Sequence, residues 1–148
     1  MPVFYKYLIA ALLSLGMALP ALANKNPDRL IERAQEQAEA GDLLAAQSTL
    51  QEVVETAPSS LAYTRLGGVH LLQQAYSTGI KHFQQAIMLD QSNAKAFVGL
   101  AVAYLHMGRY QLAREALKQA EQLDPEKKQE IEKVLTWLNQ RSSQDYGH

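Results

Sequence analysis

Residues 94–127 read AKAFVGLAVAYLHMGRYQLAREALKQAEQLDPEK, and their spacing decides the fold. Leu100, Ala103, Tyr104 and Met107 step by three, one and three, which marks one face of a helix with about 3.6 residues per turn. Leu112, Ala113, Ala116, Leu117, Ala120 and Leu123 do the same for a second helix. Only Gly108-Arg109 separates the two stretches. So short a link forces the helices to run antiparallel and side by side. Asp124-Pro125 stops the second helix, because proline cannot extend it and restricts the residue before it.

The same unit recurs upstream. Moving 61–91 by 34 residues lays Tyr63 on Phe97, Leu66 on Leu100, Tyr76 on Tyr110 and Phe83 on Leu117. It also lays Ala86 on Ala120, Leu89 on Leu123 and Asp90 on Asp124. A shift of 33 relates an earlier segment, with Ala46 on Gly79, Leu50 on Phe83, Val53 on Ala86 and Pro58 on Gln91. Gly41 and Gly108 take the same place between the helices of the first and third units. The units are therefore 27–59, 60–93 and 94–127. Ala57-Pro58-Ser59-Ser60 and Asp90-Gln91-Ser92-Asn93 are the breaks, with Ser60 and Asn93 as expected N-caps.

Small residues (Gly67 and Ala101, Gly79 and Ala113) are expected where helices approach closely, and the Gly67-Gly68 pair is read the same way. Phe83, Leu117 and Tyr104 fill the space beside them. One helix pair cannot bury its apolar face alone, so units stack and the ends need polar covers. The stretch 126–140 fits a capping helix, with Ile131, Val134, Leu135 and Leu138 on one stripe. Trp137, at the stripe edge, is expected to pack on the last repeat. The tail 142–148 has little to bury and is expected to fray.

On these residues the chain resembles the tetratricopeptide repeat family, whose pattern is W-x₂-L-G-x₂-Y, A-x₃-F and P at a period of 34. The third unit supplies Phe97, Leu100, Ala101, Tyr104, Ala113, Leu117, Ala120 and Pro125. The second supplies Tyr63, Leu66, Gly67, Gly79, Phe83 and Ala86, with His70 for the tyrosine and Gln91 for the proline. The first is degenerate, keeping Ala46, Leu50 and Pro58 but having Leu30, Arg33, Ala34 and Gln37 in its first helix. The resemblance implies an all-α fold: a right-handed α-solenoid of antiparallel helix pairs, about three units, closed by a C-terminal capping helix.

It also implies a concave groove lined by the first helix of each unit. Carried onto this chain, the groove positions are Asp28, Ile31, Gln35 and Ala38, then Leu61, Thr64, Gly68 and Leu71, then Lys95, Val98, Val102 and Leu105. Each set steps by three, four and three and so shares a helix face. Family members that grip a C-terminal carboxylate use Lys, Arg and Asn there. Here the last two sets are mostly aliphatic, with Lys95 as their one cation, which argues against such a clamp. The expected ligand is an apolar or amphipathic protein segment laid into the groove.

The remaining features limit the alternatives. A chain of 148 residues is one domain's worth, against roughly 100–200 residues per domain. With 14 Lys and Arg against 15 Asp and Glu, a net charge of −1 gives no electrostatic case for nucleic acid. The absence of cysteine excludes disulfides, a thiol nucleophile and a Cys-held metal. Residues 1–23 have one basic side chain, Lys6, then an uncharged run from Leu8 to Leu19, Pro20, and Ala21-Leu22-Ala23. This is the layout of a secretory signal peptide cleaved after Ala23, leaving a repeat domain over 24–141. The expected address is the periplasm or an equivalent exported space. The alternative is a leader retained as a membrane anchor.

No catalytic constellation is expected. His70, His82, His106 and His148 hold no metal spacing. His70 replaces a packing tyrosine and reads as core or half-buried, His82 as solvated, and His106 as the one partner-facing histidine. Glu32, Glu36 and Glu39 read as a solvated face. The expectation is thus a non-enzymatic interaction scaffold or assembly factor, with no cofactor, no metal and no small-molecule substrate. The competing expectation is a structural homo-oligomer that buries the apolar groove between copies.

Overall fold

Gly41, Gln74 and Gly108 have φ of 84°, 61° and 69°, and these three left-handed residues turn the chain back on itself at matching places. After each, an amide reaches back across the helix end: Asp42 N–H to Gln37 O, Ala75 N–H to His70 O and Arg109 N–H to Tyr104 O, at 2.9, 2.8 and 2.8 Å. This is the Schellman closure, which satisfies carbonyls that the helix end leaves open. Glycine takes the left-handed backbone without steric cost. The second unit makes the same turn with glutamine, so the repeat of Gly41 and Gly108 in the sequence skips it.

The structure is a computed structural model describing residues 25–145. Its helices are α1 (Pro27–Glu39), α2 (Leu43–Thr56), α3 (Ser60–Leu72), α4 (Tyr76–Leu89), α5 (Ala94–His106), α6 (Tyr110–Leu123) and α7 (Lys128–Asp145), with a 3₁₀ turn at Pro125–Lys127 before the last. They form antiparallel pairs α1–α2, α3–α4 and α5–α6, each helix packing on the next. The first helices α1, α3 and α5 also lie against one another in series. The all-α solenoid read from the sequence is therefore the fold, and the described residues contain no strand. The expected leader over 1–23 lies outside the described residues. No helix among the described residues is long and apolar enough to cross a membrane.

Local chemistry accounts for the helix starts. Asn26, Asp42, Ser59 and Asn93 each accept an amide of the first turn, which offsets one of its unpaired donors. Ser59, rather than the expected Ser60, is the cap of α3; its Oγ accepts from Ala62 N–H at 3.1 Å. Ser60 is already helical, and its hydroxyl donates to Ala86 O at 2.8 Å. Asn93 Nδ2 donates to Ser60 Oγ at 2.7 Å and Thr64 Oγ1 at 2.9 Å, while its Oδ1 caps α5. One side chain thus closes a helix and ties the third unit to the second.

The core divides into two clusters along the solenoid. The first holds Ala34, Leu50, Val53, Ala62, Leu66 and Val69; the second holds Phe83, Ala101, Leu117, Ala120, Ile131 and Leu138. Phe83, Leu50 and Leu66 are essentially sealed from solvent. Burying each such side chain contributes roughly 1.5–3 kcal/mol. The last helix runs past 140 to Asp145, so residues 142–145 of the expected tail are helical. Ile131 and Leu138 dock it, and the Trp137 indole meets the Tyr110 ring edge-on at 6.5 Å.

Candidate functional site: a groove along the first helices

Because α1, α3 and α5 stand side by side, the helix faces they turn away from α2, α4 and α6 form a common surface. It is hollowed twice. A hollow of about 530 Å³ spans α1, α3 and α5, and its lining includes Gln35, Ala38, Thr64, Gly68, Leu71, Lys95, Val98 and Val102. A second, of about 370 Å³, lies between α5, α6 and α7; Lys95, Val98, Val102 and Leu105 line it together with Leu117, Ile131 and Val134. Lys95, Val98 and Val102 belong to both, so the outer face of α5 is the wall between them.

Several groove positions read from the sequence meet here, and others do not. Leu61 is exposed but lines neither hollow, and Asp28 is likewise exposed outside them. Ile31 is 6% exposed and belongs to the first core cluster. The first set of groove positions therefore loses Ile31: α1 packs against both α2 and α3, and its buried arc widens to include that side chain. Leu71 and Leu105 are half-buried, each packed on its inner side against the second core cluster. Val98 shows more of its surface to solvent, at 36%. Thr64 is a wall rather than a free polar group, since its hydroxyl donates to Ser60 O and accepts from Asn93.

The sequence reading missed the contribution of α7 through Ile131 and Val134, and of two charged residues, Glu39 and Arg65, to the larger hollow. The signal for Ile131 and Val134 was present, since both lie on the apolar stripe assigned to the cap. Gly68 also differs from its expected role. A Cβ on Gly67 would stand 2.8 Å from the Phe83 ring, so close packing explains that glycine. Among the described residues, a Cβ on Gly68 would meet nothing within 4 Å beyond its chain neighbours and the nearby backbone of its own helix.

The histidines form a separate feature. His70 is buried, 7% exposed, and its Nδ1 has no hydrogen-bond partner among the described residues. Its ring stacks on His82 at 5.0 Å, and His82 stacks in turn against Tyr63 at 6.1 Å. His82 is thus half-buried rather than solvated, because α4 presses it against α3. His106 is exposed but lies flat on Tyr76 at 4.7 Å, away from both hollows. No group of three or more His, Cys, Asp or Glu among the described residues is placed to hold a metal.

Burial pushes the His70 imidazole below its ordinary pKa, and Gln73 beside it draws it part of the way back. Burial also lowers His82, with repulsion from His70 as the second cause. Both folded values thus lie below the unfolded one, near 6.5, so the folded state binds fewer protons. The stability this contributes is complete above about pH 6.5 and is lost as pH falls through that value toward the folded pKa values. The thermal midpoint is expected to drop between about pH 7.5 and pH 5.5. In the His70→Gln, His82→Gln double variant the drop should flatten. An equal drop in that variant would place its source elsewhere.

Comparison with known proteins agrees with this architecture. Two family models, both described as tetratricopeptide repeat, match residues 31–92 and 70–138. Superkiller protein 3 of Schizosaccharomyces pombe is 36% identical over 64 residues, which are 43% of this chain and 5% of that protein. The chain therefore spans a small fraction of the curated relative it matches. Among solved structures, the TPR domain of Arabidopsis OM64 superposes with a TM-score of 0.73 at 16% identity, covering 78% of this chain and 95% of the other. The TPR2B domain of yeast Sti1, solved in a complex with pHsp70, gives 0.73 at 20% identity, covering 78% and 97%. MamA from Desulfovibrio magneticus RS-1 gives 0.71 at 24% identity, covering 80% and 67%. These three likenesses speak to the fold alone. The two family models together run from 31 to 138, well over half of the 148 residues, and the chain belongs to the tetratricopeptide-repeat family.

Proposed function

We propose that this chain is a non-catalytic protein-interaction scaffold of an exported compartment. It holds an apolar or amphipathic segment of another protein in the groove along α1, α3 and α5, and so serves as an assembly factor. The observation that carries this reading is the α5 wall: Val98 and Val102 line both hollows and keep apolar surface open on a helix whose Ala96, Leu100, Ala101 and Ala103 are buried in the core. Burying three or four such side chains, at roughly 1.5–3 kcal/mol each, supports micromolar binding after the costs of association. The solved TPR domain of Sti1 in complex with pHsp70 supports a protein partner for this fold. Export rests on the sequence of 1–23, with cleavage after Ala23, and the N-terminus of the protein recovered from the compartment tests it.

The groove is tested by pull-down from that compartment with wild type and a Val98→Glu, Val102→Glu variant. Each introduced carboxylate would be desolvated by an apolar ligand, so partner recovery should fall at least tenfold, the consequence of losing about 1.4 kcal/mol or more. Equal recovery by both proteins would remove the groove assignment. Light scattering addresses self-association: a monomer at tens of micromolar excludes the homo-oligomer that buries this face between copies.

A further inference from the structure

Gly68 lies inside α3, where a glycine weakens a helix by about 1 kcal/mol relative to alanine. Packing does not require it, because among the described residues a methyl group there would meet no atom within 4 Å beyond its chain neighbours and the nearby backbone of its own helix. Its neighbour Gly67 has a structural reason, the Phe83 ring; Gly68 has none. What it does is leave α3 bare on the lining of the larger hollow. Small residues at such a place let a second helix approach the backbone closely.

Two cations line the same hollow. Arg65 lies one turn before Gly68 on α3, and Lys95 projects from α5. Both are exposed, and neither is in an ion pair among the described residues, so both charges are free to meet a ligand. The hollow's one acid, Glu39, lies on the α1 side and accepts a hydrogen bond from Gln35. Two cations against one acid leave the hollow net positive, with the acid on the α1 side and both cations on the α3 and α5 sides, while most of the lining between them is apolar.

We infer that the larger hollow receives an amphipathic helix of a partner protein, seated against the bare backbone at Gly68, with an acidic side chain on that helix meeting Arg65 and Lys95. This rests on the scaffold reading above and specifies the partner it holds. Apolar contact supplies most of the affinity, and the acid sets register and excludes basic segments, as complementary charge does at interfaces.

The test is selection on the purified protein from a display library of random peptides fused through their C-termini, so that no free carboxylate is offered. Enriched peptides are expected to combine apolar residues at helical spacing with at least one acid. Selection on an Arg65→Glu, Lys95→Glu variant should exchange that acid for Lys or Arg. Gly68→Ala should raise the thermal midpoint by about 4 °C, yet weaken the selected peptides roughly tenfold. The gain in stability shows that the weaker binding is not a folding defect. Enrichment indifferent to charge, or undiminished binding to Gly68→Ala, overturns the inference and leaves the scaffold standing. No enrichment above the Val98→Glu, Val102→Glu variant overturns both.

Discussion

Gly99→Ala is expected to lose about 2–3 kcal/mol of stability, even though alanine is the better helix former by about 1 kcal/mol. A Cβ on Gly99 would stand 2.3 Å from the Phe83 ring, far inside any van der Waals contact. A flexible side chain could swing aside. Phe83 cannot, because the ring's other neighbour is Gly67, whose added Cβ would already be at 2.8 Å, and the ring is 2% exposed. Any shift away from Gly99 drives the ring into α3. Of the two opposed effects, sterics wins because the helix gain is capped near 1 kcal/mol while overpacking a sealed site typically costs about 1–3 and occasionally more.

The chain itself contains the compensated arrangement. At the places of Gly67 and Phe83, the first unit has Ala34 and Leu50, and the third has Ala101 and Leu117. All four are buried, each pair within one core cluster. The middle unit carries a larger ring, and it needs a glycine on both sides. The place of Gly99 one unit earlier is Arg65, which lines the same hollow as Leu50, so leucine leaves room for a full side chain there. Phe83→Leu should therefore restore most of what Gly99→Ala removes, with a coupling of about 1.5–3 kcal/mol in a double-mutant cycle measured by urea unfolding. Additive losses would mean that the ring and Gly99 do not compete for the same space.

That contact also shows where sequence reading reaches its limit. The helical hairpins were legible because apolar spacing, a proline stop and a constant offset of 33 to 34 all point the same way. Gly67 was legible as a packing residue because Ala34 and Ala101 stand at its equivalents. Gly99 was not, since its reason lies in Phe83, sixteen positions away and in another unit. Gly68 reads like Gly67 in sequence and differs only in what surrounds it. Periodicity assigns a residue to a helix face but not to the neighbour that covers it. That is why Ile31 came out buried, and why Leu61 shares a face with Thr64 without lining a hollow. His82 was misread for the same reason: its sequence neighbours carry no trace of the ring of His70 one helix away.

Leu138→Ala is expected to release the end of the solenoid rather than weaken the whole chain. Leu138 is 1% exposed, and deleting a buried leucine side chain costs about 2–5 kcal/mol. In a stacked array, stability is close to a sum over units and nearest-neighbour interfaces. The helix α7 packs on α6 and the 3₁₀ turn and stands off from α5, with the second hollow in the gap. The loss therefore falls on the α6–α7 interface. Hydrogen exchange should show α7 amides losing most of their protection while α3 and α4 amides keep theirs, and urea unfolding should gain an early, shallow transition. Uniform loss across all helices in one transition would show instead that the cap and the repeats unfold as a single unit. The local outcome has a consequence for binding. Ile131 and Val134 of α7 form one wall of the second hollow, so a ligand seated there can bind only while the cap is docked. Such a ligand would restore α7 protection in Leu138→Ala in proportion to its free concentration over its Kd. A ligand confined to the larger hollow, which α7 does not line, would leave α7 unprotected.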